Sequence, residues 1–218
     1  MNNSNTLSKQ ARWMRLGMQA NLFPAYKRFR RKVMELSGIS PASSVLDFGC
    51  GVGLFEEYIK KNMELCEGKI TGVDTGKELI EIAKSSFQDT RNYEFFLIDE
   101  SGRLPFPDNS FDIILSSFVL HLLTRPQKAD VLKEFMRVLK PDGHMLLAEI
   151  GKPKTVLGHW IKFLTLHLWI KIWPYEVNSV DSFNGLLPDF IHSAGFTKVE
   201  TVLRMKGYID FISAAKGL

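Results

Sequence analysis

Residues 45–53 read Val45-Leu46-Asp47-Phe48-Gly49-Cys50-Gly51-Val52-Gly53, and the stretch Leu54-Phe55-Glu56-Glu57-Tyr58-Ile59-Lys60 follows directly. This pattern predicts a short buried strand, a sharp turn through three glycines, and a helix. Glycine lets the backbone approach a ligand closely because it has no Cβ atom. The turn also directs free N–H groups and the positive end of the helix dipole toward that ligand. Glycine-rich turns are common, so the stretch alone is a weak sign of a cofactor loop.

The glycine spacing departs from the dinucleotide fingerprint G-x-G-x-x-G. Gly49 and Gly51 fit it, but Leu54 stands where the third glycine belongs and Gly53 comes one place early. A nicotinamide oxidoreductase is therefore disfavoured. An acidic residue, Asp47, stands at the carboxyl end of the predicted strand.

The composition is that of an ordinary globular protein, with 218 residues, 45% hydrophobic and 24% charged. This length suits one α/β domain, and no repeat or linker indicates a second. The first ten residues are polar, so we expect no signal peptide. Two cysteines without C-x-x-C spacing favour a reducing, cytoplasmic location, and the five histidines form no metal-ligand pattern, so no metal is predicted.

The overall charge of +4 is uneven along the chain. Residues 1–40 carry eight basic residues against Glu35 alone. Such a basic arm attracts phosphate, a membrane surface or nucleic acid, and a solvated helix face is the equally weighted alternative. The pattern from Ser8 to Leu36 predicts two helices separated at Pro24.

After the glycine turn, strands and helices alternate, which predicts a parallel sheet with crossover helices. The predicted strands are Lys69–Asp74, Glu94–Ile98, Phe111–Ser116 and Met145–Ile150, with helices Lys77–Phe87 and Pro126–Leu139 between them. A turn at Pro141-Asp142-Gly143 precedes the last of these strands. A helix Ser182–Ala194, stopped by Gly195, and a hairpin of Lys198–Met205 with Tyr208–Ala215 complete the chain.

Ligands of parallel sheets bind at the carboxyl ends of strands, where the strand order reverses, and acids stand at those ends here. Asp74 follows Gly51 by 23 residues and is placed to accept hydrogen bonds from a ribose diol. A helix cap is the alternative for Asp74. Asp99 ends the third strand, where it can accept a hydrogen bond from an adenine amino group.

Three further blocks follow in a specific order: Gly72-Val73-Asp74, then Leu104-Pro105-Phe106-Pro107-Asp108-Asn109-Ser110-Phe111-Asp112, then Arg137-Val138-Leu139-Lys140-Pro141-Asp142-Gly143. With the glycine loop, they resemble class I S-adenosylmethionine-dependent methyltransferases from Val45 to about Lys216. The ubiquinone/menaquinone-biosynthesis type and its small-molecule and phospholipid N-methyltransferase relatives are the most similar. The resemblance implies a Rossmann-like, doubly wound, mostly parallel seven-stranded sheet with an antiparallel last strand and an N-terminal helical cap.

The resemblance also implies S-adenosyl-L-methionine as the cofactor and assigns residues to it. Asp47, Gly49 and Gly51 would face the methionine moiety, Asp74 the ribose and Asp99 the adenine. The full implied cofactor set is Asp47, Phe48, Gly49, Gly51, Gly53, Asp74, Thr75, Leu79, Asp99, Glu100 and Ser116. Relatives usually leave three residues between the third-strand acid and Leu-Pro-Phe, but four follow Asp99, so Glu100 is the alternative.

One domain with four parts is predicted: residues 1–40 a basic helical cap, 41–150 the cofactor-binding core, 151–181 an apolar helical lid, and 182–218 the C-terminal helix and hairpin. Lid and cap side chains expected to contact the acceptor are Tyr26, Trp160, Phe163, Trp169 and Trp173. Polar residues scatter through the segment 155–175, which favours a lid over an apolar pocket, ahead of a membrane-facing patch and a dimer contact. Completion of the core is the plain alternative.

Methyl transfer from a sulfonium is an in-line displacement, so the protein mainly supplies proximity and orientation. A base is needed only if the acceptor must lose a proton. His121 is the candidate for that base, and a hydrogen-bonded histidine at a helix start is the alternative. Ser116 would line the pocket near the sulfonium.

The sequence therefore predicts a methyltransferase acting on a small, apolar or lipid-like acceptor, such as a quinone precursor. A non-catalytic S-adenosylmethionine-binding protein with a regulatory role is the alternative. Nucleic acid is disfavoured because Ser116-Ser117-Phe118-Val119 replaces the Asn/Asp-Pro-Pro-aromatic block of DNA amino-methylating enzymes. A monomer or homodimer with peripheral membrane contact is expected.

Overall fold

The computed structural model describes residues 24–164, 167 and 178–217. The helices there are α1 (Pro24–Ser37), α2 (Leu54–Asn62), α3 (Lys77–Ser86), α4 (Arg125–Val138), α5 (Val156–Leu164), α6 (Val180–Asn184) and α7 (Leu187–Ser193). The strands are β1 (Ser44–Phe48), β2 (Lys69–Asp74), β3 (Tyr93–Leu97), β4 (Phe111–Ser117), β5 (Leu139–Ile150), β6 (Phe196–Met205) and β7 (Ile209–Lys216). A 3₁₀ turn spans Leu120–Leu122.

Seven strands form one sheet in the order β3-β2-β1-β4-β5-β7-β6. The pairs β1–β2, β2–β3 and β4–β5 are parallel, whereas β7 runs antiparallel to both β5 and β6. The predicted Rossmann-like sheet with an antiparallel last strand is confirmed. The closing hairpin turns at Lys206 and Gly207, the two residues that the sequence places there.

The chain divides into two compact units, residues 1–98 and 99–218. In the first unit, Val45 and Leu46 of β1 and Ala83 of α3 are fully buried. A strand covered on both faces has to be apolar along its length, and this is why β1 reads as an apolar run up to Asp47. The register places Asp47 opposite Gly72, near the carboxyl ends of both strands.

In the second unit, Ile114 and Leu115 of β4 and Leu132 of α4 are buried in the core. A capping box starts α4, because the Thr124 hydroxyl accepts from the backbone N–H of Gln127 while the Gln127 side chain accepts from the N–H of Thr124. This cap places the first helical residue one position before the predicted start at Pro126.

Two predicted elements differ from the structure. The single helix Ser182–Ala194 is wrong, because Gly185 adopts φ 79° and ends α6, and α7 begins two residues later with Pro188 in its first turn. The fifth strand is longer than predicted: β5 already begins at Leu139 and carries an irregular register beside Phe111. The apolar pattern of residues 182–194 indicated their helical face but not the break at Gly185.

At the N-terminus, the described chain starts at Pro24, which opens α1 instead of separating two described helices. The predicted helix before Pro24 lies outside the described residues. The division into four parts of one domain stays a prediction.

Candidate functional site

The turn between β1 and α2 places Gly49 and Gly51 in the left-handed region, at φ 80° and 57°. The Gly49 N–H donates to the carbonyl of Val73 at 2.8 Å, which ties the turn to β2. A Cβ atom built on Gly51 meets nothing within 4 Å. The space before the Gly51 backbone is open, so its positive φ rather than close packing favours glycine there. The turn therefore has the form of a cradle for a ligand.

The third glycine of the turn has a packing role. A Cβ atom on Gly53 would lie 3.3 Å from the ring of Phe87, 3.4 Å from Ala83 and 3.5 Å from the ring of Phe95. Gly53 therefore lets the start of α2 approach α3 and β3 closely. A contact between Gly53 and a cofactor stays a prediction.

Asp74 joins the end of β2 to the glycine turn. Its Oδ2 atom accepts from the Gly51 N–H at 3.0 Å and its Oδ1 atom from the Gly76 N–H at 2.8 Å. Burial raises the pKa of Asp74, and the N–H groups of Gly76, Gly51 and Thr75 oppose that rise. Gly76, not Asp74, occupies the N-cap position of α3. Asp74 thus holds the turn in shape instead of capping the helix.

The remaining predicted residues of this unit surround that carboxylate. Thr75 is exposed, and Leu79 on α3 packs so near Gly76 that a Cβ atom there would lie 2.7 Å from Leu79 Cδ1. Phe48 closes β1 and is buried. Thr75 adjoins Asp74 in the chain and Leu79 packs on Gly76, and the contact of these residues with a cofactor stays a prediction.

Two buried carboxyl groups lie side by side below the turn. Asp47 at the end of β1 is 6% exposed, and Glu56 on α2 is fully buried. No side chain or backbone group of another described residue donates a hydrogen bond to either carboxyl oxygen of Glu56, and the N–H of Glu56 itself lowers its pKa only in part. Burial raises the pKa of both groups, that of Asp47 to about 7, and the charge of Asp47 raises that of Glu56 further. A proton shared between the two carboxyls reconciles these observations.

Helix α1 covers this pair with Tyr26 and Arg30. The Arg30 guanidinium lies 4.7 Å from the centre of the Tyr26 ring and donates to the carbonyl of Leu54 at 3.2 Å. Burial raises the pKa of Tyr26 to about 12, against the lowering effect of Arg30, and the carboxyls of Asp47 and Glu56 add to the rise. Tyr26, predicted as an acceptor contact, is therefore packed beside the acid pair.

In the second unit, His121 lies in the 3₁₀ turn and forms a buried pair with Glu149 of β5. The Nδ1 atom of His121 is 2.8 Å from Oε2 of Glu149. The other oxygen, Oε1, accepts from the N–H groups of Val119 and Leu120 at 2.8 and 2.7 Å. With one oxygen occupied by two backbone donors, we assign the shared proton to Nδ1 of His121. The pair anchors the turn, which is the structural alternative for His121, and a catalytic role stays a prediction.

The two long sequence blocks of this unit meet at Arg137. Its guanidinium donates to the carbonyls of Leu104 and Phe106 and pairs with Asp108 at 2.9 Å and Glu134 at 2.8 Å. The hydrogen bonds to Glu134 and Asp108 raise the pKa of Arg137. The Arg137 side chain thus fixes the Leu-Pro-Phe loop. The sequence blocks 104–112 and 137–143 therefore stabilise each other through this one residue.

Residues 178 and 181 contact α4 through a buried lysine. Lys128 is 1% exposed, donates to the carbonyl of Asn178 at 3.2 Å and lies 3.7 Å from Asp181. Arg125 binds both oxygens of Asp181, at 3.0 and 2.8 Å. Burial lowers the pKa of Lys128, opposed by the charge of Asp181. This cluster fixes the start of α6.

Asp99, Glu100 and Ser116 are also placed in the second unit. Ser116 is buried within β4. Asp99 is exposed and its carboxylate accepts from the N–H of Ser101 at 2.9 Å and from the Ser101 hydroxyl. Glu100 is likewise exposed. Which of the two acids would contact adenine stays open.

Helix α5 turns its large apolar side chains outward. Trp160 is 60% and Phe163 50% exposed, whereas Gly158 is buried against Pro153 and Tyr208. The exposed apolar residues are Val156, Leu157, Trp160, Phe163 and Leu164, which fall within one third of the helix circumference. The predicted scatter of polar residues therefore does not hold within α5.

Trp169 and Trp173, the other predicted lid residues, lie outside the described residues. Among the helices that the structure describes, none has the length and apolarity needed to cross a membrane.

Comparison with known proteins identifies the family. Residues 46–147 match the family model described as a methyltransferase domain. A ubiquinone/menaquinone biosynthesis C-methyltransferase of Pseudomonas fluorescens is 33% identical over 137 residues, covering 61% of this chain and 51% of that protein. A demethylmenaquinone methyltransferase of Oceanobacillus iheyensis is 28% identical over 207 residues, covering 88% and 84%. Residues 46–147 are therefore a methyltransferase domain, and the chain is similar to the S-adenosylmethionine-dependent methyltransferases that these relatives represent.

The fold of this methyltransferase domain recurs in solved structures. A SAM-dependent methyltransferase from Aquifex aeolicus superposes with a TM-score of 0.68 at 23% identity, covering 98% of both chains. The chain spans about half the length of several curated relatives that it matches, including the one from Pseudomonas fluorescens. S-adenosylmethionine is the cofactor of the family, which agrees with the predicted cofactor.

Sequence reasoning missed Glu56 and Glu149, which lie beside Asp47 and His121. Each gave a signal in retrospect. Glu56 is three residues before Ile59 and so falls on the same buried face of α2. Glu149 is a lone charge at the end of the apolar run Met145–Ala148 in β5.

Proposed function

We propose that this protein transfers the methyl group of S-adenosylmethionine to an apolar, quinone-like acceptor. The observation that carries the proposal is the turn at Gly51, whose backbone faces open space and donates its N–H to Asp74 within a methyltransferase domain. The cofactor supplies an activated methyl group on a sulfonium. The protein's contribution is then to bind and orient it.

The residues present fit this cofactor. Gly49 and Gly51 lie in a turn that lets a ligand approach the backbone, and Asp47 supplies negative charge next to it. The Asp74 carboxylate accepts from the N–H groups of Gly51 and Gly76, and the N–H of Thr75 also acts on it. Since a carboxylate has about four acceptor positions, it retains capacity for a ribose hydroxyl. We assign adenine to Asp99, with Glu100 as the alternative.

A quinone-like acceptor is supported by the relatives, which are named for ubiquinone/menaquinone biosynthesis and for demethylmenaquinone. Carbon methylation of such a ring would form a C–C bond to the methyl group as the bond between methyl and sulfur breaks and leaves a thioether, and the ring carbon would then lose a proton. His121 is the candidate to receive that proton, because Glu149 fixes its ring through Nδ1.

The outward apolar face of α5 supports peripheral contact with a membrane, where an apolar acceptor resides. Lys154 is exposed at the start of α5, and its N–H donates to the carbonyl of Gly207 at 2.9 Å, next to exposed Lys206. Exposed Trp160 and Phe163 and the exposed side chains of Lys154 and Lys206 are the residue types that bind an anionic lipid surface.

The test is calorimetric binding of S-adenosylmethionine, S-adenosylhomocysteine and NAD, followed by methyl transfer to short-chain demethylmenaquinol. Micromolar binding of the first two ligands with turnover of the quinol would support the proposal. Binding without turnover on any quinol or lipid acceptor would favour the non-catalytic alternative, which no present observation favours. Preference for NAD would overturn the cofactor assignment.

A further inference from the structure

The acid pair below the glycine turn has no structural task among its neighbours. Glu56 is the third residue of α2, where glutamate often accepts from the N-cap N–H. Here the N-cap Gly53 donates its N–H to the carbonyl of Cys50 at 3.1 Å, and no side chain caps the helix. Glu56 therefore does not cap α2, and no other residue in the described part of the chain donates a hydrogen bond to its buried carboxyl.

The groups around the pair supply little positive charge. Arg30 directs one N–H to the carbonyl of Leu54 and leaves Nε buried without an acceptor. The other titratable groups that act on the pair or its near neighbours are anionic or neutral: Tyr26 of α1, Cys50 of the turn, Glu57 of α2, Asp74 of β2 and Tyr93 of β3. Within residues 24–164 and 178–217, a second negative charge at this place has no counterion, so one of the two carboxyls has to keep its proton.

A cationic ligand group would remove that requirement. Asp47 directly precedes Phe48 and Gly49, so the pair lies at the base of the turn that opens at Gly51. The methionine end of the proposed cofactor carries an ammonium group, a compact cation with three donors. A carboxyl pair that has lost its shared proton offers the negative charge and the acceptors that such a group needs.

We infer that the Asp47–Glu56 pair holds one proton in the free protein and releases it to solvent when the ammonium group of S-adenosylmethionine binds. This inference rests on the proposed function, and it adds Glu56 as a positioning residue for the cofactor. No bond to carbon changes in this step: one O–H bond is broken, and the proton is taken up by buffer.

The released proton is measured by titration calorimetry at pH 6.5 in two buffers of different ionisation enthalpy, such as PIPES and imidazole. The ammonium group of the ligand itself stays protonated at this pH, since α-amino groups titrate near 7.7–8.0. S-adenosylmethionine and S-adenosylhomocysteine should each release about one proton. 5′-Methylthioadenosine lacks the amino-acid end and should release none.

Glu56→Gln tests the residue, and Glu57→Gln, one position along the same helix, is the matched control. We expect Glu56→Gln to abolish proton release and Glu57→Gln to retain it. In the wild type, the affinity for S-adenosylmethionine should increase as the pH is raised toward 7, by up to tenfold per pH unit. This is the slope expected when binding releases one proton. Glu56→Gln should flatten this dependence.

The outcomes separate this inference from the proposed function. Binding of S-adenosylmethionine without proton release, or equal release with methylthioadenosine, overturns the inference and leaves the methyltransferase proposal standing. A folded wild type that binds neither sulfonium nor thioether ligand overturns both. If Glu56→Gln binds no ligand, the proton of the pair is tested in the free protein by comparing melting temperatures at pH 6 and pH 8. A wild-type melting temperature that is the same at both pH values would overturn the inference that the pair holds a proton.

Discussion

The imidazole of His121 lies 2.8 Å from the carboxylate of Glu149, which also accepts two backbone N–H groups of the same turn. A buried carboxylate with three hydrogen bonds is well satisfied, so this pair holds the 3₁₀ turn on the end of β5. The same geometry fixes one ring nitrogen of His121 and orients the other. The His121–Glu149 pair therefore both anchors the 3₁₀ turn and orients the His121 ring. Substitutions at the two residues distinguish the structural role from the proposed catalytic one.

Glu149→Ala should lower the free energy of unfolding by about 1–3 kcal/mol, because it leaves the N–H groups of Val119 and Leu120 buried without an acceptor. His121→Gln keeps a polar partner for Glu149 and should cost less.

If His121 accepts a proton during turnover, His121→Gln lowers kcat with little change in KM and removes the acidic limb of the pH–rate profile. Urea unfolding and steady-state kinetics measure the two effects. Unchanged kcat in a folded His121→Gln protein would leave His121 with its structural role alone.

Asp74→Ala should weaken S-adenosylmethionine binding roughly 100-fold, since it removes charge-assisted hydrogen bonds and releases the N–H groups of Gly51 and Gly76. Asp74→Asn keeps an acceptor for the turn and should retain more affinity than alanine. Exposed Asp89→Ala is the control for a lost surface carboxylate. Calorimetric Kd values rank the four proteins, and an Asp74→Ala protein with wild-type affinity would refute the ribose assignment.

Alanine substitutions at Gly51 and Gly53 should affect different properties of the protein. Gly51→Ala forces an L-residue to φ 57° at a cost of roughly 1–2 kcal/mol, and its methyl group projects into open space where the cofactor is proposed to lie. It should therefore lose cofactor affinity more than stability. Gly53→Ala adds contacts at 3.3–3.5 Å to Phe87, Ala83 and Phe95, so its main loss should be in melting temperature. Thermal melts with and without S-adenosylhomocysteine test this contrast, and the reverse order would contradict it.

How far the sequence predicts this molecule depends on whether a feature is local. The strand Lys69–Asp74 has the bounds that its apolar, β-branched run indicates, and the turn at Lys206-Gly207 is set by its own residues. The break at Gly185 was missed because an apolar helical period continues across it from α6 to α7. Glycine inside such a pattern can equally be tolerated, and only its φ of 79° decides.

The site follows the same rule. Asp47, Gly51 and Asp74 were predicted because each stands at the end of a strand or in a turn that the sequence reveals. The partners Glu56 and Glu149 were not, since what each contacts depends on which elements pack together. A glutamate on a short helix is usually solvated, and sequence alone gives no sign that α1 buries this one.

Stability should fall as pH rises across the titration of the acid pair. Burial places the folded-state pKa of Asp47 at about 7, above the ordinary value of 3.8. The folded protein therefore keeps a proton between these two values that the unfolded chain has lost, and stability decreases with pH through that window. Glu56→Gln should weaken this slope and raise the melting temperature at pH 8 relative to wild type, while Glu57→Gln should not. Melting curves from pH 5 to 8 measure the slope. A wild-type melting temperature that rises over this range would contradict the sign.

The exposed face of α5 makes a prediction independent of the cofactor. Trp160 and Phe163 are at least half exposed, so replacing both with serine should leave the melting temperature within about 1 °C of wild type, as surface changes cost little. The same double variant should lose most of its binding to vesicles containing phosphatidylglycerol, in a flotation assay with phosphatidylcholine vesicles alongside. Val202→Ser, another exposed apolar residue, is the control and should bind as wild type does. Retention of binding by the double variant would exclude α5 as the lipid contact. A large loss of stability would mean instead that the face is covered within the protein, because only buried apolar side chains contribute to unfolding free energy on that scale.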